Sequence, residues 1–79
     1  MDYDQDKVDE VTLALMFLTT FGDKWSTSSW KGYDWDALNR LHEAGYISNP
    51  VGKAKSVTFT AQGKELSEAL FKKHFGGND

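Results

Sequence analysis

Residues 45–63, GYISNPVGKAKSVTFTAQG, constrain the fold more than any other stretch of this 79-residue chain. Tyr46 and Ile47 begin a short extended segment, and the SNPVGKAK that follows is rich in the residue types that favour a turn. SVTFT at 56–60 then alternates apolar and polar side chains, which is typical of a strand with one buried face. Thr60 can cap a helix directly after that strand. The stretch therefore predicts a β-hairpin that runs straight into a helix.

A first helix is predicted over about residues 7–21, with Asp6 as its cap because acidic side chains suit the positive end of a helix. One apolar stripe recurs along it at steps of three and four residues: Val8, Val11, Leu15, Leu18 and Phe21. Leu13, Met16 and Phe17 lie off that stripe. The helix is therefore either buried on more than one side or offers a second apolar face to something else.

Two further helices are predicted, over about 35–44 and about 61–75. Asp34 is the expected cap of the second helix, and Gly45 supplies the left-handed residue that commonly ends one. Residues 22–34, rich in Gly and Ser, are expected to form a connection. Apolar side chains from all these segments should form one core: Val8, Val11, Leu15, Leu18, Trp35, Leu38, Leu41, Ile47, Val57, Phe59, Leu66 and Leu70.

The chain is short enough to form one domain, expected over residues 6–75, with a frayed 1–5 and a tail at 76–79. It contains no cysteine, which excludes disulfides, thiolate metal sites and thiol nucleophiles and fits a reducing cytoplasm. The longest apolar run, residues 13–18, is far shorter than the roughly 20 residues that cross a bilayer. We therefore expect a cytoplasmic protein without a membrane segment.

The order of a helix, LNRLHEAGYI, a hairpin and SVTFTAQGKELSEAL resembles the winged-helix class of bacterial regulators. The residues that carry this resemblance are Leu38, Leu41, Gly45, Ile47, Thr60 and Gly63. The whole chain is also similar to an uncharacterised family of short bacterial proteins that carry WKGYDWDALNRLHEAGYI followed by NPVGKAKSV. The resemblance implies an α+β fold, a small winged-helix-like domain of three helices with a two-stranded β-hairpin. Residues 22–33 are too short and too rich in Gly and Ser for the full positioning helix of that class.

Tryptophans are concentrated in the predicted connection, where Trp25 and Trp30 precede Trp35. We expect Trp35 to lie in the core beside Leu38. The other two either cap the core from the connection or form an exposed aromatic surface for self-association or for a protein partner. The candidate protein-interaction residues are Met16, Phe17, Trp25 and Trp30.

DNA binding is the alternative function, because the resemblance implies a recognition helix at 35–44 and a wing with a basic turn at its tip. The candidate nucleic-acid-binding residues are Lys31, Asn39, Arg40, Lys53 and Lys55. Asp36 and Glu43 share the exposed face of the recognition helix and would meet the same phosphates. The net charge of −3 also argues against tight nonspecific binding to phosphates.

Catalytic signatures do not emerge from the sequence. His42 and His74 are too few and too far apart to indicate a metal site, and the STSS at 26–29 lacks a recognisable general base. We expect no enzyme activity, metal or cofactor. The sequence therefore predicts a noncatalytic protein-interaction module, with a small DNA-binding transcriptional regulator as the alternative.

Overall fold

Three helices and a three-stranded antiparallel sheet make up the computed structural model, which describes residues 1–22 and 26–76. The elements in chain order are α1 (Gln5–Leu18), β1 (Thr20–Gly22), β2 (Thr27–Trp30), α2 (Trp35–Glu43), β3 (Ser56–Thr58) and α3 (Ala61–Phe75). The predicted α+β class is confirmed, and the layout is consistent with a winged-helix-like domain.

The second and third helices begin where their caps were predicted. The Asp34 carboxylate accepts a hydrogen bond from the backbone N–H of Ala37 at 3.0 Å, and the Thr60 hydroxyl accepts one from the N–H of Gly63 at 2.9 Å. α1 differs, because Asp4 rather than Asp6 caps it by accepting from the N–H of Lys7 at 3.0 Å. Local capping chemistry therefore sets the start of every helix.

Gly45 ends α2 as the sequence predicts. Its φ of +86° is left-handed, and its N–H donates to the carbonyl of His42 at 3.0 Å. The N–H of Tyr46 donates to the carbonyl of Leu41 at 3.1 Å, which completes a Schellman motif. This turn reverses the chain and brings Tyr46 against the start of α3.

The sheet contains more strands than the predicted hairpin. β1 and β2 come from the end of the predicted first helix and from the predicted connection, and they pair with Phe21 opposite Ser28. β2 is central, and Ser29 lies opposite Val57 of β3. The first hairpin strand is reduced to one bridge between Ile47 and Phe59.

The core contains most of the predicted residues outside α1. Leu38, Leu41, Ile47, Val57, Phe59 and Leu70 are buried. Trp35 was wrongly placed there, since it is 56% exposed in the first turn of α2.

The predicted buried face of α1 is wrong. Leu13, Ala14 and Met16 enter the core, where α1 packs against α3 and α2. Val11 and Leu15 are each two residues from Leu13, so they point about 160° away from it. The predicted stripe therefore faces outward, and Phe21 belongs to β1 rather than to this helix.

Candidate functional site

An aromatic pair stands on the outer face of the sheet. The ring centroids of Phe21 on β1 and Trp30 on β2 are 4.8 Å apart, with an interplanar angle of 33°. Phe21 lies opposite Ser28, two residues from Trp30, so both rings project from the same face. Phe21 is 43% exposed and Trp30 is 53% exposed. We refer to these two residues as the aromatic pair.

Small polar side chains surround the aromatic pair. Ser56 lies opposite Trp30 in the register, and Ser28 lies opposite Thr58 with their hydroxyl oxygens 3.4 Å apart. The two rings therefore rise above a floor of short side chains and are exposed to solvent.

Hydroxyl groups fix the sheet from beneath. The Thr19 hydroxyl lies 2.9 Å from that of Ser29, which is fully buried, and 3.1 Å from the phenol oxygen of Tyr33. Thr19 joins α1 to β1, and Tyr33 packs against the core. These bonds hold β2, and with it Trp30, in a defined position.

The three predicted interaction residues that the structure describes, Met16, Phe17 and Trp30, do not come together. Met16 is fully buried and was wrongly placed on the surface, because it belongs to the core face of α1. Phe17 is half-buried between α1 and α3, its ring centroid 5.2 Å from that of Phe71. Trp25 lies outside the described residues. Trp30 is exposed, which is the second of the two alternatives given for it, and Phe21 is the member that the sequence interpretation missed.

Among the predicted DNA-binding residues, Arg40 is held by an ion pair. Its guanidinium donates two hydrogen bonds to Asp9, from Nε at 2.7 Å and from the Nη2 nitrogen at 2.8 Å. These bonds to the Asp9 carboxylate raise the pKa of Arg40 above its ordinary value, and Tyr3 contributes in the same direction. Arg40 therefore links α2 to α1 with its charge already paired.

The ammonium of Lys31 is also hydrogen-bonded within the protein. Its ammonium donates to the carbonyls of Pro50 at 2.7 Å and Gly52 at 3.0 Å, and it lies 5.7 Å from the centre of the Trp35 ring. Pro50 is fully buried, so this lysine pins the loop before β3 to the end of β2.

The other predicted nucleic-acid contacts are exposed but separated along the chain. Asn39 lies on α2 together with exposed Asp36 and Glu43, whereas Lys53 and Lys55 lie in the loop before β3. Of the five candidate residues, these two lysines and Asn39 are exposed, whereas Lys31 and Arg40 are half-buried. The predicted basic surface is therefore reduced to the loop and to Lys31, whose backbone N–H donates to the carbonyl of Lys55 at 3.1 Å.

The two histidines hold structural positions. His42 Nδ1 lies 2.9 Å from the carbonyl oxygen of Ile47, beside the turn that ends α2. His74 Nε2 is buried and makes no well-directed hydrogen bond, and Glu10 Oε2 approaches it to 3.2 Å. No three potential metal ligands cluster in residues 1–22 and 26–76.

Glu10 is the centre of the charged contacts between α1 and α3. Lys73 donates to its Oε1 at 3.2 Å, and Lys7 lies 3.6 Å from its Oε2. The hydrogen bond from Lys73 lowers the pKa of Glu10, and His74 acts in the same direction. Glu10 and Lys7 also line a cleft of about 450 Å³, whose apolar lining residues include Leu13, Leu66 and Leu70.

None of the helices described is long and apolar enough to cross a membrane.

Comparison with known proteins gives a family match and a similar protein. Residues 4–77 match DUF6429, a domain of unknown function. The uncharacterized protein y4hR of Sinorhizobium fredii is 44% identical over 75 residues, which cover 95% of this chain and 97% of that protein. No solved structure matches the chain. The predicted similarity to a family of short bacterial proteins is thus confirmed, and the chain belongs to the DUF6429 family.

Proposed function

We propose that this protein is a noncatalytic interaction module that binds protein, either another protein or a second copy, through the aromatic pair Phe21 and Trp30. The observation that carries the proposal is the exposure of two large rings in mutual contact, 4.8 Å apart, on one face of the sheet. Tryptophan is enriched among the residues that dominate the binding energy of protein interfaces.

The support beneath the pair favours binding over incidental exposure. Trp30 lies on the central strand, and the buried hydroxyl of Ser29 next to it bonds to Thr19. A ring held in place by its scaffold loses little conformational entropy when a partner covers it. The aromatic pair is therefore better suited to anchor an interface than a mobile surface side chain would be.

The groups that catalysis could use are engaged in structure. The Ser29 hydroxyl donates to the carbonyl of Trp30 at 3.2 Å, and Nδ1 of His42 lies 2.9 Å from the carbonyl oxygen of Ile47. A nucleophile needs a neighbouring base in hydrogen-bond reach. The Ser29 hydroxyl meets the Trp30 carbonyl and the Thr19 hydroxyl, and His42 Nδ1 meets a backbone carbonyl. This use of the side chains supports the noncatalytic assignment.

The alternative is a winged-helix DNA-binding regulator. Its support comes from Lys53 and Lys55, which are exposed in the loop before β3. Two other candidates weaken it. The Asp9 carboxylate pairs with the charge of Arg40, and two backbone carbonyls accept hydrogen bonds from the ammonium of Lys31. DNA binding by two loop lysines would depend steeply on salt.

Affinity capture with matched variants tests the proposal. Wild-type protein, Trp30→Ala and Trp35→Ala are immobilised and exposed to extract from the source bacterium. Trp35 is a suitable control because it is equally exposed but lies on α2. We expect at least one protein to be retained by wild type and Trp35→Ala and lost from Trp30→Ala.

Duplex DNA is tested in parallel by fluorescence anisotropy. Binding that survives Trp30→Ala and disappears in the double variant Lys53→Glu, Lys55→Glu would overturn the proposal in favour of the regulator.

A further inference from the structure

The first helix is apolar on two opposite faces, and the core uses one of them. Val8, Val11, Leu15 and Leu18 form what we call the outer stripe of α1. Leu18 is 67% exposed and Leu15 is 36% exposed, and the two valines are half-buried. The stripe lies about 160° around the helix from Leu13, which packs in the core. This second apolar face is therefore available for a contact with another molecule.

We propose that the outer stripe is a contact between two copies of this chain, with α1 lying antiparallel to α1 around a twofold axis. The four positions are spaced by three, four and three residues, which is the a and d spacing of a two-stranded helical seam. This spacing reads the same in both directions. A stripe that is symmetric about its own centre can therefore pair with itself in an isologous interface.

The sizes of the side chains select the antiparallel orientation. A twofold axis at the centre of the stripe places Val8 opposite Leu18 of the second copy and Val11 opposite Leu15. Every layer then contains one smaller and one larger side chain, so the layers have equal volume. A parallel pairing would place valine on valine at one end and leucine on leucine at the other, which leaves the valine layers underfilled.

The charges at the ends of α1 select the same orientation. Asp4 and Asp6 lie at its N-terminus, and its last turn has no basic residue. The antiparallel pair separates the two acidic N-termini, and it brings Lys7 of the second copy, a cation that the helix dipole favours there, beside that last turn together with the acidic residues that precede it. A parallel pair would instead bring the acidic N-termini of both copies together.

The chain is also at the small end of what folds alone, so covering this stripe would add to a limited core.

This inference goes beyond the proposed function, because the outer stripe lies on α1 and the aromatic pair lies on the sheet. Sedimentation velocity over about 10 to 500 µM tests it, since self-association depends on concentration. We expect a dimer whose dissociation constant rises by about tenfold or more in Leu18→Ser, from the apolar area no longer buried. Val51→Ser is the matched control, because Val51 is 68% exposed in the loop before β3.

Several results would overturn the assignment. One is a monomer throughout this range, and another is a dimer that Leu18→Ser leaves as tight as the control does. A dimer lost in Trp30→Ala but kept in Leu18→Ser would overturn it and would support self-association through the aromatic pair. Circular dichroism of each variant shows whether the helix content is retained.

Disulfide trapping tests the orientation, because the chain contains no cysteine of its own. Val11→Cys and Leu15→Cys proteins are mixed and oxidised at a concentration where the dimer forms. The antiparallel pairing predicts that the mixed disulfide dominates, and the pair Val8→Cys with Leu18→Cys should behave alike. A dominance of disulfides between identical variants would indicate a parallel pairing and contradict the proposal.

Discussion

Asp9 and Arg40 join the first two helices through two hydrogen bonds, of 2.7 and 2.8 Å, between one carboxylate and one guanidinium. Two parallel bonds of this kind fix both the distance and the orientation of the groups. We expect Arg40→Ala to lower the melting temperature, because it leaves the Asp9 carboxylate half-buried without its cation. Thermal unfolding followed by circular dichroism measures the change.

Two variants separate this effect from a general loss of surface charge. Arg40→Lys keeps the charge but cannot make both bonds, so its melting temperature should lie between wild type and Arg40→Ala. Asn39→Ala changes the neighbouring exposed residue and should unfold close to wild type. Equal melting temperatures for Arg40→Ala and Asn39→Ala would show that the ion pair adds no stability.

The orientation of α1 predicts unequal effects for two of its apolar residues. Met16→Ala should lower the free energy of unfolding by about 2–5 kcal/mol, because it opens a cavity at a fully buried position. Leu18→Ala, at an exposed position, should lower it by less than about 1 kcal/mol in dilute protein. Urea denaturation of both variants measures the difference. The reverse order would place the outer stripe in the core.

Gly63 is required by the close approach of α3 to the chain after α2. A Cβ at this position would overlap the carbonyl group of Tyr46, which also accepts the N–H of Thr60 at 3.0 Å. Gly63→Ala should therefore destabilise the fold by about 1–3 kcal/mol, as overpacking does. Gly32→Ala is the control, since nothing lies within 4 Å of its Cβ, and we expect a change within about 0.5 kcal/mol. Similar midpoints in urea for the two variants would rule out the contact.

Acid should weaken the contact between α1 and α3 at Glu10. Because Lys73 and His74 lower the pKa of Glu10 in the folded state, its contribution to stability is present above the ordinary pKa of 4.5. That contribution is lost as the pH falls through the lower folded value. The melting temperatures of wild type and Glu10→Gln should therefore differ at pH 7 and converge in acid.

The exposed Glu65 on α3 provides the comparison, and Glu65→Gln should follow wild type across the same pH range. A difference between wild type and Glu10→Gln that persists unchanged in strong acid would contradict the ionic origin of the contact.

Local signals explain what could be predicted from the sequence. The bounds of α3 follow from Thr60 and from Gly76, and those of α2 follow from Asp34 and Gly45, because each helix ends on its own capping chemistry. The buried face of α1 could not be chosen in this way. Leu13, Met16 and Phe17 have the same three- and four-residue spacing as the outer stripe, so periodicity alone favoured the longer set.

The aromatic pair was only half predicted for a related reason. β1 and β2 consist of Thr, Phe, Gly, Ser and Trp residues without an alternating apolar pattern, so they read as a connection. The contact between the Ser29 and Thr19 hydroxyls, which anchors β2, joins residues ten positions apart and has no local sequence pattern. Phe21 could be assigned to the site only once β1 was known to turn away from α1.

Titration of a captured protein tests the central claim most directly. The purified protein is titrated calorimetrically against wild type, Phe21→Ala, Trp30→Ala and the control Trp35→Ala, at about 50 mM and about 200 mM salt. We expect Trp30→Ala to weaken binding by about tenfold or more, Phe21→Ala to weaken it as well, and Trp35→Ala to match wild type at both salt concentrations. Equal affinities for all four proteins would contradict the assignment of the aromatic pair as the binding surface.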